Sequence, residues 1–215
     1  MASNAVDDLD GRLSRTAQSR LAICEACLDL LQEGVLQPSA DQVAERAGVS
    51  RRSIFNHFAD LAELYDTMVE VGMQRCAPFL EEISEREPIA RRIDELVRVR
   101  ARFLEATAPF SRALTAQALL GPAAEQAVRV SQDGLRLQHQ DVERLFRREL
   151  EGLPAPERAD VLEAMSAAMA PLLWAHLRHG RGHSVARVRA LMKRTLTASL
   201  RDAGVPVPRA EPRGR

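Results

Sequence analysis

The sequence predicts an all-α protein, and three observations carry that reading. Aromatic residues make up only 4% of the 215 residues, while Ala, Leu, Arg and Glu, which lose little freedom in a helix, are abundant. No alternating segment rich in Val, Ile or Thr marks a strand. Residues Pro38 to Leu64 read as a short helix, a sharp turn and a second short helix with a cationic, polar start, the layout of a helix-turn-helix.

The elements follow in order. Residues 1–14 are polar and acidic and are expected to form a mobile arm. Arg12 and Arg15 could then touch phosphates or the minor groove, or simply belong to a disordered tail. Ser39 is placed to cap a helix whose inward face is Ala40, Val43, Ala44 and Ala47. Gly48 ends it, where a left-handed backbone is easiest. Val49 plugs the corner. Ser50 caps the next helix, from Arg51 to about His57. Ile54, Phe55 and Phe58 are available for packing there. Arg51, Arg52, Ser53, Asn56 and His57 remain for an outside partner, the division a helix in a major groove requires.

Asp60 suits the start of a longer helix whose apolar stripe is Leu64, Met68, Val71, Leu80 and Ile83, with Pro78 kinking or ending it. Pro88 opens another helix through Ile93, Leu96, Val97 and Phe103-Leu104, which Pro109 is expected to break. Gly121-Pro122 marks a stop and restart. A long helix then reaches about Leu150, with Val128, Val130, Leu135, Leu137, Val142, Leu145 and Phe146 as apolar positions. The last two helices are expected from about Glu157 to His179 and from Ser184 to Asp202, with wide apolar faces. The Pro- and Arg-rich end, residues 204–215, is expected to be a disordered tail.

The residues around the turn resemble the TetR family of bacterial transcription regulators. Arg20 to Gly34 looks like the family's first helix and its closing glycine. Val43-Ala44, Ala47-Gly48-Val49-Ser50 and the aromatic-x-His-Phe ending at Phe58 fall in the family's order and spacing. The match covers Arg20 to Tyr65; beyond it, only length and helical character agree. The resemblance implies a three-helix helix-turn-helix domain over residues 15–65. It also implies a helical effector-binding and dimerisation domain over residues 66–203, with the last two helices meeting their symmetry mates in a homodimer. The implied partner is a double-stranded DNA operator. The implied DNA-contacting residues are Ser39, Ser50, Arg51, Arg52, Ser53, Phe55, Asn56 and His57. Arg51 and Arg52 reach phosphates or base edges, and residue types alone do not say which.

Two positions depart from the family pattern. Phe55 stands where a tyrosine usually offers its hydroxyl to a phosphate, and Leu61 stands where a lysine is usual. Losing two phosphate anchors should weaken binding and flatten its salt dependence, with Arg51 and Arg52 compensating.

An unknown small-molecule effector is implied inside the body. Candidate lining residues are Phe103, Phe110, Leu114, Gln138, His139, Met165, Met169 and Trp174, although a Met and aromatic stripe at helical spacing is equally a core. The functional expectation is a DNA-binding transcription regulator, a repressor released from its operator by that effector. The alternatives are an activator or a regulator that answers to no ligand.

Other classes find little support. Lys plus Arg and Asp plus Glu both number 30, so the chain is not globally basic. Local placement, rather than net charge, meets phosphates. Cys24 and Cys27 form a CxxC, but inside a predicted helix beside alanines, which favours buried packing over redox or zinc chemistry. His176 and His179 lie one turn apart, yet Gly180 and Gly182 separate them from His183, and a polar helix end is preferred to a metal site. A helical enzyme is the remaining competitor. It lacks a Gly-rich phosphate loop, a nucleophile elbow and a paired Glu-x-x-His, so no catalytic residues, metal or cofactor are expected. With no secretory signal and no bilayer-length apolar run, a cytoplasmic protein with no membrane partner is expected.

Overall fold

A computed structural model describes residues 3–79, 81–120 and 124–208. Nine α-helices lie among them: α1 Ser3–Gln32, α2 Ala40–Ala47, α3 Arg51–His57, α4 Leu61–Cys76, α5 Ile89–Leu120, α6 Ala124–Leu150, α7 Ala155–Ala167, α8 Pro171–Ala175 and α9 Val185–Asp202. No strand occurs among the described residues. The chain divides into two compact units. The first is residues 1–77 with 109–130, and the second is residues 78–108 with 131–215. Helices α5 and α6 therefore contribute one end to each.

The first unit is built on α1, whose Ile23, Cys24, Cys27, Leu28, Leu30 and Leu31 form one side of a core with Val43, Ala44, Ile54, Phe58, Leu64, Tyr65 and Met68. Phe110 and Leu114 of α5 and Val130 of α6 pack against the same cluster. Two left-handed glycines end helices here: Gly34 at φ 97° after α1 and Gly48 at φ 68° after α2. At each, the next residue's N–H reaches back to the helix, Val35 to the Leu30 carbonyl and Val49 to the Ala44 carbonyl, both at 3.0 Å. This closure satisfies carbonyls that the helix end would otherwise leave unpaired.

In the second unit, Ile93, Leu96, Val97 and Leu104 of α5 meet Val142, Leu145, Phe146 and Leu150 of α6, Leu162 and Met165 of α7, and Val188, Met192, Leu196 and Leu200 of α9. Arg92 ties the start of α5 to the end of α6. It donates to the Leu145 carbonyl and to both oxygens of Glu149, and its Nε donates to the Glu87 carbonyl at 2.9 Å.

Several sequence expectations are corrected. Residues 3–14, expected as an arm, are helical as the start of α1. Helix α4 belongs to the first unit, so the boundary falls at Ala77 rather than at Tyr65. The reason is that Leu64, Tyr65, Met68 and Val69 all pack into the first core. Helix α4 ends at Cys76 and a 3₁₀ turn follows over Ala77–Phe79. Ile83 therefore lies beyond α4 and packs in the second core, while Leu80 is outside the described residues.

Pro109 does not break its helix: α5 continues to Leu120. Gly121-Pro122 lies outside the described residues. On α6, Leu135 and Leu137 are exposed rather than apolar contacts. The single helix expected from Glu157 to His179 is divided at Ala168–Ala170, because Pro171 opens α8 and fits its first turn. The expected tail also differs, since Val205 and Val207 are buried in the second core. Residues 209–215 lie outside the described residues.

Candidate functional site

Helix α3 is held by its ends and its back. The Ser50 side chain accepts from the Ser53 N–H at 3.1 Å and so caps the helix. Ile54 and Phe58 are buried in the first core. At the far end, the Arg20 guanidinium of α1 donates to the His57 carbonyl, sits 4.2 Å from the Phe58 ring centroid, and donates to Glu63 at 3.0 Å and to Thr67 at 3.3 Å. Glu63 also accepts from the Ala59 N–H at 2.7 Å, and these bonds hold its carboxyl below the usual range, the Ala59 bond contributing most. The start of α4 is thus locked to the end of α3, and Asp60 caps it by accepting from the Glu63 N–H at 2.9 Å.

Helix α2 is fixed by a reciprocal capping box. Ser39 accepts from the Gln42 N–H at 3.3 Å, and Gln42 accepts from the Ser39 N–H at 2.9 Å. The Tyr65 hydroxyl donates to the Pro38 carbonyl at 3.1 Å, pinning the chain as it enters α2.

What remains outward on α3 is the set expected to meet DNA. Arg51, Arg52, Phe55 and Asn56 are exposed, and Ser53 and His57 are half-buried. Phe55 is 42% exposed, with the Arg51 guanidinium 5.8 Å from its ring centroid. Expected among the packing residues as well as on the interface, it stands on the outer surface. Arg51 also pairs with Asp41 of α2 at 3.3 Å, between two exposed side chains, so part of its charge is answered within the protein. Ser39 and Ser50 are exposed but already serve as caps. Leu61 is half-buried and packs against the first core, which accounts for an apolar side chain there. Cys24 and Cys27 are fully buried free thiols, pushed up by burial to about 11 and about 12.

The eight candidate effector residues do not gather in one place. The second unit holds a cleft of about 440 Å³, and only Phe103, Gln138 and Met169 of the eight line it. Its other walls include Leu96, Val99, Arg100, Leu145, Arg144 and the carboxylates Glu81, Glu82, Glu85 and Asp141. Phe110 and Leu114 pack with the first core instead, about two and about three turns beyond Phe103 on α5. Met165 is wholly buried core. His139 lies 3.3 Å from the Ser166 hydroxyl. Trp174 is buried and donates its indole N–H to Glu105 at 3.0 Å, while Arg178 forks onto the same carboxylate at 2.9 Å on each oxygen.

The sequence reading missed Arg20, Tyr65, Arg100 and Glu105 as positioning or lining groups. Their partners lie 27 to 73 residues away, and no local spacing marks such contacts. His176 to Gly180 form a π turn, and the His183 N–H donates to the Leu177 carbonyl. Among the described residues, no group of three His, Cys, Asp or Glu side chains could hold a metal ion. Among them too, no helix is long and apolar enough to cross a membrane.

An all-helical chain of two units with an N-terminal helix-turn-helix is a recognisable architecture. Its overall fold is that of TetR-family transcriptional regulators. A transcriptional regulator from Rhodococcus sp. Rha1 superposes with a TM-score of 0.66 at 17% identity, covering 85% of this chain and 96% of that one. A TetR-family transcriptional regulator from Streptomyces coelicolor gives 0.62 at 19% identity, covering 86% and 83%. No family model matches the sequence, and no curated relative matches it.

Proposed function

We propose that this chain is a sequence-specific DNA-binding transcription regulator, acting as a repressor that a small molecule releases from its operator. The observation that carries the proposal is the division of α3. Ile54 and Phe58 anchor it from behind, while Arg51, Arg52, Phe55 and Asn56 stand outward. That is the arrangement needed to lay a short helix in a major groove, with phosphate contacts positioning it and base-edge contacts specifying sequence. Two copies would read the two halves of a near-palindromic site, joined through the last helices of the second unit. Leu172, 70% exposed, and Leu173, 39% exposed, support an apolar surface there. An effector held in the second unit would lower DNA affinity by its preference between two body states.

With Tyr and Lys anchors replaced by Phe55 and Leu61, the cationic contribution falls on Arg51 and Arg52. Arg51 is partly answered by Asp41, so Arg52 carries more of it. A gel-shift with the DNA upstream of its own gene should show a retained complex at low salt. In titrations at several salt concentrations, Arg52→Ala should weaken binding and reduce the log–log salt slope by about 1 per subunit. No complex at low salt, or an unchanged slope, would count against the reading. An activator makes the same contacts; the position of its footprint relative to the promoter separates the two.

A further inference from the structure

We infer that the cleft of the second unit binds a small organic monocarboxylate, with its carboxylate on Arg100 and its apolar body against Phe103, Val99, Leu96 and Met169. The inference deepens the ligand-responsive reading above and rests on it.

The argument begins with an imbalance of charge. Among the described residues, the other cation lining the cleft, Arg144, and the nearby Arg98 and Arg102 are matched. Arg144 pairs with Glu85 at 3.2 Å and Asp141 at 3.5 Å, and Arg98 and Arg102 both pair with Glu81. Arg100 forms no ion pair among the described residues. Its Nε donates to the Met169 carbonyl at 3.2 Å and its Nη2 to the Gln138 side-chain oxygen, both neutral acceptors. Asp141 is felt only at longer range. Burial draws the guanidinium down to about 10, so it stays charged at neutral pH. A partly buried cation without a counter-charge is costly unless something answers it.

The guanidinium is also pre-positioned. It lies 5.0 Å from the Phe103 ring centroid, and Gln138 is held by donating to the Ser166 carbonyl at 2.7 Å. Among the described residues no bond from Nη1 accompanies those of Nε and Nη2, and its N–H groups suit a planar acceptor such as a carboxylate. The carboxylates of the cleft then narrow the class. Glu81, Glu82 and Asp141 are exposed and Glu85 is half-buried; together they disfavour an occupant with several negative charges. The volume of about 440 Å³ suits a ligand of modest size.

Calorimetric titration of the full chain without DNA provides the test. The probes are decanoate and 2-naphthoate, each against its neutral carboxamide. The wild type should bind at least one acid about tenfold or more tightly than its amide. Arg100→Gln should erase that preference while leaving amide binding in place, and Arg100→Lys should keep part of it. The wild-type comparison stands even if a variant fails to fold. Acid and amide bound equally by the wild type, neither acid bound, or a preference that survives Arg100→Gln in a folded chain would each overturn the inference. A chain that shifts DNA but prefers no acid loses this site alone. A chain that prefers the acid through Arg100 yet holds DNA unchanged keeps the site and loses the release mechanism.

Discussion

Replacing Arg20 with methionine keeps the aliphatic stem and removes the guanidinium that fastens the end of α3. The side chain donates to the His57 carbonyl and stacks on Phe58 at 4.2 Å. A hydrogen bond from a charged donor contributes about 1.5–3 kcal/mol, and a cation–π contact about 0.5–1 kcal/mol. Arg20 is 31% exposed, so the lower ends apply, and the loss should come to about 2 kcal/mol. The exposed pairing with Glu63 adds nothing to that figure. Two kcal/mol corresponds to about thirtyfold in an opening equilibrium. Amide exchange at Phe58, whose N–H bonds the Ile54 carbonyl at 2.9 Å, should therefore accelerate about thirtyfold in Arg20→Met. Amides of α9 should hold their rates, and, on the function proposed above, DNA affinity should fall with the loosened helix. Unchanged exchange over residues 51–58, or an equal acceleration throughout the chain, would refute the assignment of Arg20 to α3.

Three further outcomes are expected. Gly48→Ala places a side chain at φ 68° where nothing lies within 4 Å, so the cost is conformational alone; urea unfolding should show about 1 kcal/mol of lost stability, and no loss would contradict the left-handed cap. Cys24 and Cys27, raised to about 11 and about 12 by burial, should resist a thiol reagent at pH 8 in the folded chain and react once it is denatured. Rapid labelling of either in the native state would place it elsewhere. The Arg178 fork, followed by the Trp174 indole N–H, holds the Glu105 carboxyl below its ordinary 4.5. A group with a lowered folded value contributes its stability fully above the ordinary value and loses it as pH falls through the depressed one. Stability should therefore drop below pH 4.5, with a shift in Trp174 fluorescence, and Glu105→Gln should flatten that limb; a parallel limb in the variant would show that another carboxylate is responsible.

The helix-turn-helix was legible because its signals are local. Ser39 and Ser50 cap within three residues of themselves, and Gly48 takes the one backbone conformation that favours glycine. Pro109 was misread for the opposite reason. A proline inside a helix costs about 3 kcal/mol, but α5 is packed on both sides of it, through Leu104 and Thr107 before and Phe110 and Leu114 after. The Thr107 hydroxyl also bonds the Phe103 carbonyl at 2.8 Å just upstream. Tertiary burial outweighed the local rule. The effector residues were scattered by the same helix, since spacing along α5 cannot tell which of two cores receives a given aromatic. Arg100 carries no local mark, because its neutral partners Gln138 and Met169 come from 38 and 69 residues away.

Residues 203–207 act as a plug for the second unit. Val205 bonds back to the Leu200 carbonyl at 2.9 Å, the Arg201 side chain clasps the Val207 carbonyl at 2.8 Å, and both valines are buried. Trimming the protein after Asp202, where the last helix stops, would unseal apolar surface of the second core and invite aggregation. An affinity handle is better joined beyond Pro208 than at the helix end.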